Sequence, residues 1–439
     1  MKKKIIAGLL ILASMATMAG CASTPGSIND GKTSQTNEKP DKNNGNNNSN
    51  GTSAAGGVRD YEFDERTLGG CNVDNSAIVT DMIAAANDGQ NVLFSPTSLN
   101  LALGLAGEGA SGEGRELINA YLGYDEFGDR ALELMEGFED YNYDGGKNGY
   151  SCKLEVANAL WVDKKIKLTQ SFIKAAENKY QAGADEVDFS KADKACKTIN
   201  KWADKNTYGL IPEIVTPDVI GPDTVLCITN SLYFEAPWSE EWTLRSNEED
   251  FTLFDGSTQQ IQYISSSGGA YYENEYATAF GCSYVNGIQF IGILPKEEGE
   301  FTLEELDIAG LIKSRSYDFD ELYYRMPRLN FETSNDLTNI FKAIGMGSLF
   351  DEGAGFDGIA EGENLYISSI IQKTRLELDQ YGTKAAAVTA MTMDCATSAL
   401  PDEEPIIKRV YLDRPFAFLI YDAANDEILF MGKVVTALE

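Results

Sequence analysis

Nineteen residues near the end of the chain, Gly382 to Leu400, restrict the fold more than any other stretch. The run GTKAAAVTAMTMDCATSAL is built from small, β-branched and thioether side chains, and Pro401 is the first proline after it. Such a composition suits a strand. It is too polar for a closed core strand and too apolar for an ordinary solvated loop. In an extended chain Thr383, Ala385, Ala387, Thr389, Met391, Met393 and Cys395 share one face and carry no charge. Lys384, Ala386, Val388, Ala390, Thr392 and Asp394 share the other, which holds both charges. Gly382 in front suits a backbone that must swing. The stretch reads as a strand in waiting.

The start of the chain reads as a targeting segment. Lys2, Lys3 and Lys4 form a basic end, and Ile5 to Leu12 is an apolar run too short to span a bilayer. Met18-Ala19-Gly20-Cys21 resembles a bacterial lipobox, which implies a signal peptide over residues 1–20 and acylation of Cys21. An ordinary cleaved signal peptide is the alternative. Residues 21–58 are dominated by Asn, Gly, Ser and Thr, cannot bury enough apolar area to offset chain entropy, and read as a tether. A lipid followed by a tether implies a domain held off the outer side of a bacterial membrane.

Residues 59–439 show no second linker and no internal repeat and are read as one domain. Their setting is acidic: the formal charge is −32, and −35 once the three lysines of the signal are removed. Such a chain repels phosphate, so nucleic acid is excluded as a partner. The chain has no histidine, which removes Ser-His-Asp and Cys-His catalysis and HExxH zinc sites. A hydrolase using a pair of carboxylates stays open to a chain with 68 Asp and Glu, although Glu297-Glu298 and Asp402-Glu403-Glu404 read as solvated surface. Cys71, Cys152, Cys196, Cys227, Cys282 and Cys395 show no CxxC pair and no zinc spacing, so they read as unbridged small thiols, mostly buried. Cys395 has no nearby cation to hold it as a thiolate and reads as an ordinary exposed thiol. No cofactor and no metal are expected.

Gly107-Glu108-Gly109-Ala110-Ser111-Gly112 matches the dinucleotide fingerprint in letters only. A helix-like run precedes it where a strand is needed, and Glu108 and Glu113 would repel phosphates. It reads as a glycine-rich turn between helices. Elsewhere the periodicity predicts helices over 74–86, 97–106, 169–180 and 196–207. It predicts strands over 154–163, 225–234, 289–294 and 365–378, and a terminal hairpin over 415–421 and 427–435. Helices and strands mix without strict alternation, so the predicted class is α+β.

Several segments, in order, resemble landmarks of the serpin family. They are Phe94-Ser95-Pro96-Thr97-Ser98, Ile199-Asn200 through Gly209-Leu210-Ile211, Thr229-Asn230-Ser231-Leu232-Tyr233-Phe234-Glu235-Ala236-Pro237-Trp238, Met326-Pro327-Arg328-Leu329, and the pair Asp413-Arg414-Pro415-Phe416-Ala417-Phe418 and Phe430-Met431-Gly432-Lys433-Val434. Gly382-Thr383-Lys384-Ala385-Ala386-Ala387 resembles the hinge of a serpin reactive-centre loop. The resemblance implies one domain with a large central mixed sheet, further sheets, surrounding helices and an exposed loop. It implies a monomer without a catalytic residue of its own. A serine protease cuts the loop and is trapped as a one-to-one covalent complex when the loop inserts into the main sheet. Thr383 is then the first side chain buried on insertion.

Counting fourteen positions beyond the hinge glycine, as serpins usually do, puts the cut bond at Ala396–Thr397, with Cys395–Ala396 next to it as the alternative. Alanine implies an elastase-like or subtilisin-like target. Two residues depart from the family pattern: Gln380 replaces the usual hinge glutamate, and Gln372 replaces a usual buried histidine beneath the sheet. The alternative within the family is a non-inhibitory, ligand-binding protein at the cell surface, whose mark would be proline or bulky charge in the hinge.

Overall fold

The run LCITNSLYFEAP forms the strand Leu226–Pro237, in which every residue but Glu235 is buried. A strand hidden on both faces needs cover on both sides. The helix Pro96–Glu108 supplies one cover, starting with proline in its first turn, where the missing N–H costs nothing. Its Leu99 and Leu103 join Leu226, Ile228, Leu232 and Phe234 in one core. The amphipathic helix Ala192–Asn206 supplies the other, packing Cys196, Ile199 and Ala203 over Trp161, Cys227 and Ile371. Burying each large apolar side chain stabilises by ~1.5–3 kcal/mol, so the sheet is clamped between two helices by apolar contact on each face.

These elements come from a computed structural model that describes residues 67–68, 71–87, 90–144, 151–360, 365–383 and 404–437. All belong to one unit, Asp64–Glu439. The main sheet has seven strands. Its order is Leu329–Asp336, Ser369–Asp379, Gly382–Thr383, Leu226–Pro237, Ser151–Asp163 and Tyr143–Asp144, with Gly183–Val187 added parallel to Ser151–Asp163. A six-stranded sheet runs Ala270–Glu273, Ala277–Ser283, Gln289–Pro295, Phe416–Asp422, Glu427–Val434 and Val92–Phe94. A four-stranded sheet runs Ile407–Tyr411, Glu321–Pro327, Thr258–Ser267 and Thr243–Thr252. With helices interspersed, the class is α+β.

The predicted terminal hairpin is present as Phe416–Asp422 and Glu427–Val434. The predicted strand over 365–378 is shorter at its start and runs Ser369–Asp379. The predicted helix over 196–207 begins earlier, at Ala192, and ends at Asn206. Of the glycine-rich stretch only Gly109, Ala110 and Ser111 form the turn; Gly107 and Glu108 end the helix Pro96–Glu108, and Gly112 begins the helix Gly112–Leu122. A side chain at Gly107 would collide with the Phe127 ring and one at Gly109 with Ile359, so close packing accounts for these glycines.

Candidate functional site

The site is the point where the loop leaves the main sheet. Ser369–Asp379 rises through the sheet, turns at Gln380 and Tyr381, and returns as Gly382–Thr383. The turn is bonded on both sides. Tyr381 N donates to Asp379 Oδ1 at 2.8 Å. Trp238 Nε1 donates to Asp379 O at 2.8 Å, and Trp238 N to Tyr381 O at 3.1 Å. Gly382 has φ +143° and lies against Ala236 O, where a side chain would collide. Only glycine takes that backbone and that approach without strain. The Oε1 of Gln380 is buried without a partner among the described residues.

Thr383 pairs with Leu378 on one side and with Ala236 on the other, antiparallel to both. It is 3% exposed, so it is buried before any cut, whereas the sequence reading has it buried only on insertion. The reason is a partner far away in the chain. Thr383 Oγ1 shares a 2.7 Å hydrogen bond with the hydroxyl of Tyr284. That ring stacks on Trp238 at 4.3 Å and 13° and meets Phe234 edge-on at 4.9 Å. Burial pushes the Tyr284 phenol well above its ordinary value, so it stays protonated.

Below the hinge the sheet divides. Ser369–Asp379 and Leu226–Pro237 pair directly, in parallel, only from Ser369↔Cys227 to Gln372↔Asn230. From residue 373 to 377, and from 231 to 235, the facing edges have no ladder partner on that side among the described residues. Gln372 stands at the last closed rung and is fully buried. Its Oε1 accepts from Ser95 N at 2.9 Å, and its Nε2 donates to Ser95 O at 2.9 Å and Asn230 Oδ1 at 3.1 Å. Ser95 Oγ donates to Leu429 O at 2.7 Å, so this one serine joins the main sheet to the six-stranded sheet.

The far end of the loop is fixed as well. Ile406 N donates to Asp320 Oδ2 at 2.6 Å, and Ile406 O accepts from Asp320 N at 2.9 Å. Ile407–Tyr411 then runs parallel to Glu321–Pro327 at the edge of the four-stranded sheet. Of the residues singled out in the sequence, Gly382 and Thr383 are placed. Ala385, Ala386, Ala387, Cys395, Ala396, Thr397 and Cys21 lie outside the described residues. Cys152, Cys196, Cys227 and Cys282 are buried and unbridged, and burial pushes the Cys227 thiol up to about 12. Among the described residues no three His, Cys, Asp or Glu side chains gather as metal ligands. Sequence reasoning missed Tyr284 and Trp238 as parts of the site. Trp238 was legible within the run ending Ala236-Pro237-Trp238, whereas Tyr284 carries no local signal.

A family model described as serpin (serine protease inhibitor) matches residues 74–437. The chain belongs to the serpin family. Serpin-Z10 of Arabidopsis thaliana is 29% identical over 383 residues, covering 81% of this chain and 94% of the relative. An uncharacterized serpin-like protein of Thermococcus kodakarensis is 31% identical, covering 80% of this chain and 82% of the relative. Among solved structures, the thermophilic serpin tengpin in its native state matches with a TM-score of 0.69 at 26% identity, over 86% of this chain and 96% of that one. Thyroxine-binding globulin in complex with thyroxine matches in fold with a TM-score of 0.70 at 22% identity, over 84% and 99%. Serpins are generally protease inhibitors. The serpin fold of this chain therefore has both ends of its loop anchored and a partly open main sheet beneath the hinge.

Proposed function

We propose that this serpin is a suicide-type inhibitor of serine proteases with small-residue specificity. The observation that carries the reading is the register at the hinge. Gly382 faces Pro237 and Asp379, and Thr383 faces Ala236 and Leu378. Continued downward in an inserted loop, this register would put Ala385 between Phe234 and Leu376, and Ala387 between Leu232 and Thr374. Once the direct rungs from Ser369↔Cys227 to Gln372↔Asn230 part, it would put Thr389 between Asn230 and Gln372, and Met391 between Ile228 and Ile370. Every inward position would receive an uncharged side chain. On the outer face Lys384 would fall between Glu235 and Glu377, two carboxylates that would flank its ammonium.

In this reading the serine oxygen of the protease attacks the carbonyl carbon of Ala396. The Ala396–Thr397 bond breaks, and the new amine of Thr397 takes the proton held by the protease's histidine. The freed loop zips down between the two strands before water reaches the ester. About ten inserted residues gain net hydrogen bonding of ~0.5–1.5 kcal/mol each, so the inserted form lies on the order of 10 kcal/mol lower. The uncut form then persists by its kinetic barrier. Lysine and arginine are absent from 385 to 407, which supports an elastase-like or subtilisin-like target over a trypsin-like one. The lipobox-like Met18-Ala19-Gly20-Cys21 and the tether over 21–58 support a lipid-anchored inhibitor at the outer face of a bacterial membrane, acting as a monomer.

The test is incubation with elastase, subtilisin, chymotrypsin and trypsin, followed by a denaturing gel. A covalent one-to-one band with elastase or subtilisin is expected. Clean cleavage with every protease and no such band would replace this reading with that of a surface ligand-binding protein.

A further inference from the structure

We propose that Tyr284 is the positioning residue of the hinge. Its hydroxyl seats Thr383 in the main sheet before any cut, and so sets how often a cut loop inserts instead of being released as substrate. The inference rests on the inhibitor reading above. Thr383 and Tyr284 are 3% and 1% exposed, and their hydroxyls share the 2.7 Å bond. Neither hydroxyl has another partner among the described residues. A buried hydroxyl without a partner is unfavourable, so each side chain holds the other in place.

Tyr284 is itself fixed. Its N–H donates to Ile288 O at 2.8 Å, and Val285 N donates to Pro237 O at 3.0 Å. The Trp238 ring that stacks on it also bonds the turn through Asp379 O. Tyrosine, tryptophan and turn therefore act as one rigid seat, and Thr383 is its occupant. A strand that has to start pairing from a free end must first restrict its backbone before any contact compensates. Here Gly382 and Thr383 already pair on both sides, so insertion starts from formed rungs. Insertion competes with hydrolysis of the ester. A seat that speeds insertion lowers the number of inhibitor molecules consumed per protease trapped.

Four proteins test this: the unchanged chain, Tyr284→Phe, Thr383→Val and the double variant. Each single variant orphans one buried hydroxyl and should favour the unseated hinge roughly ten-fold or more. Amide exchange at Thr383 in the uncut protein should quicken by that factor. The number of inhibitor molecules consumed per elastase or subtilisin should rise. The double variant leaves an apolar pair with no orphan and should return both readings toward those of the unchanged chain. A merely destabilising change would not be rescued in this way. Single variants that trap with unchanged stoichiometry, or a double variant no better than the worse single, overturn the proposal. If the unchanged chain traps neither protease, the inhibitor reading falls, and with it the partition role; the exchange pattern then decides the seating by itself.

Discussion

Gln372 Nε2 lies 3.1 Å from Asn230 Oδ1 at the last rung on which Ser369–Asp379 and Leu226–Pro237 meet directly. The same side chain satisfies both backbone groups of Ser95. A glutamine thus closes the lower half of the main sheet with a group that does not titrate.

Replacing it should loosen that closure. Gln372→Leu leaves Ser95 O with its bond from Leu99 N but orphans Ser95 N and Asn230 Oδ1, at about 1–3 kcal/mol for each unpaired buried group. The uncut protein should melt lower and lose trapping activity faster on storage. Gln372→His keeps one donor and one acceptor and should lose less. Thermal melts at one scan rate compare the three, and a leucine variant that melts with the unchanged protein would contradict the role.

Thr383 is seated in a buried site, so a charge there would be taken out of solvent. Thr383→Arg should expel the hinge, because an unpaired buried ion costs several kcal/mol. The variant should be cut by elastase or subtilisin without forming a covalent complex. Retained one-to-one trapping would count against insertion through this site.

Cutting should raise stability. An inserted loop adding on the order of 10 kcal/mol would move the melting temperature by tens of degrees, since 1 kcal/mol shifts a 150–250-residue protein by roughly 2–4 °C. Protein nicked within 391–400 and intact protein are compared at one scan rate. Lys384→Glu would set a third carboxylate between Glu235 and Glu377 and should shrink the gain. Equal melting before and after the nick would show that the loop stays out.

Glu427 gives a pH dependence away from the loop. Its carboxylate is buried at the foot of the helix Pro96–Glu108, accepts from Arg130 at 2.7 Å and Thr97 at 3.2 Å, and has Asp422 nearby. Burial first, opposed by Arg130 and Thr97, raises it from 4.5 to about 7. The folded chain then binds more protons than the unfolded chain between those values. Its contribution is full below about pH 4.5 and is lost as pH rises through about 7, by about 3 kcal/mol at most. Denaturant midpoints from pH 5 to pH 7.5 should fall less steeply in Glu427→Gln than in the unchanged protein. Parallel slopes would rule the residue out.

Anchoring is tested at the other end of the chain. Cys21→Ala should move the protein from the membrane fraction to the medium. Mass spectrometry of the unchanged protein should find an acylated Cys21, and an unmodified N-terminus in a freely secreted protein would exclude the anchor.

The hinge was legible in the sequence because small side chains at alternate positions survive as a pattern whatever surrounds them. Leu226–Pro237 was legible because burial on both faces leaves one apolar run. Thr243–Thr252 was not: in TLRSNEEDFT only Phe251 is buried, so no alternation marks a strand held by its neighbour. The seat of Thr383 was hidden for another reason. Its partner lies 99 residues away, and a hydroxyl pair leaves no periodicity. Gln372 looked like a departure from the family, and only its contacts with Ser95 and Asn230 explain the substitution.

The strands Phe416–Asp422 and Glu427–Val434 sit between Gln289–Pro295 and Val92–Phe94, and all but the hairpin itself comes from before the loop. One cut anywhere in residues 384–403 therefore turns a single molecule into two chains gripping each other without a covalent link. Unfolding the cut form becomes a dissociation, so its midpoint should rise with protein concentration while that of the uncut chain does not. Once heated apart, the short tail and the long body must meet again before either regains its sheet, and a spent molecule has no unimolecular way back.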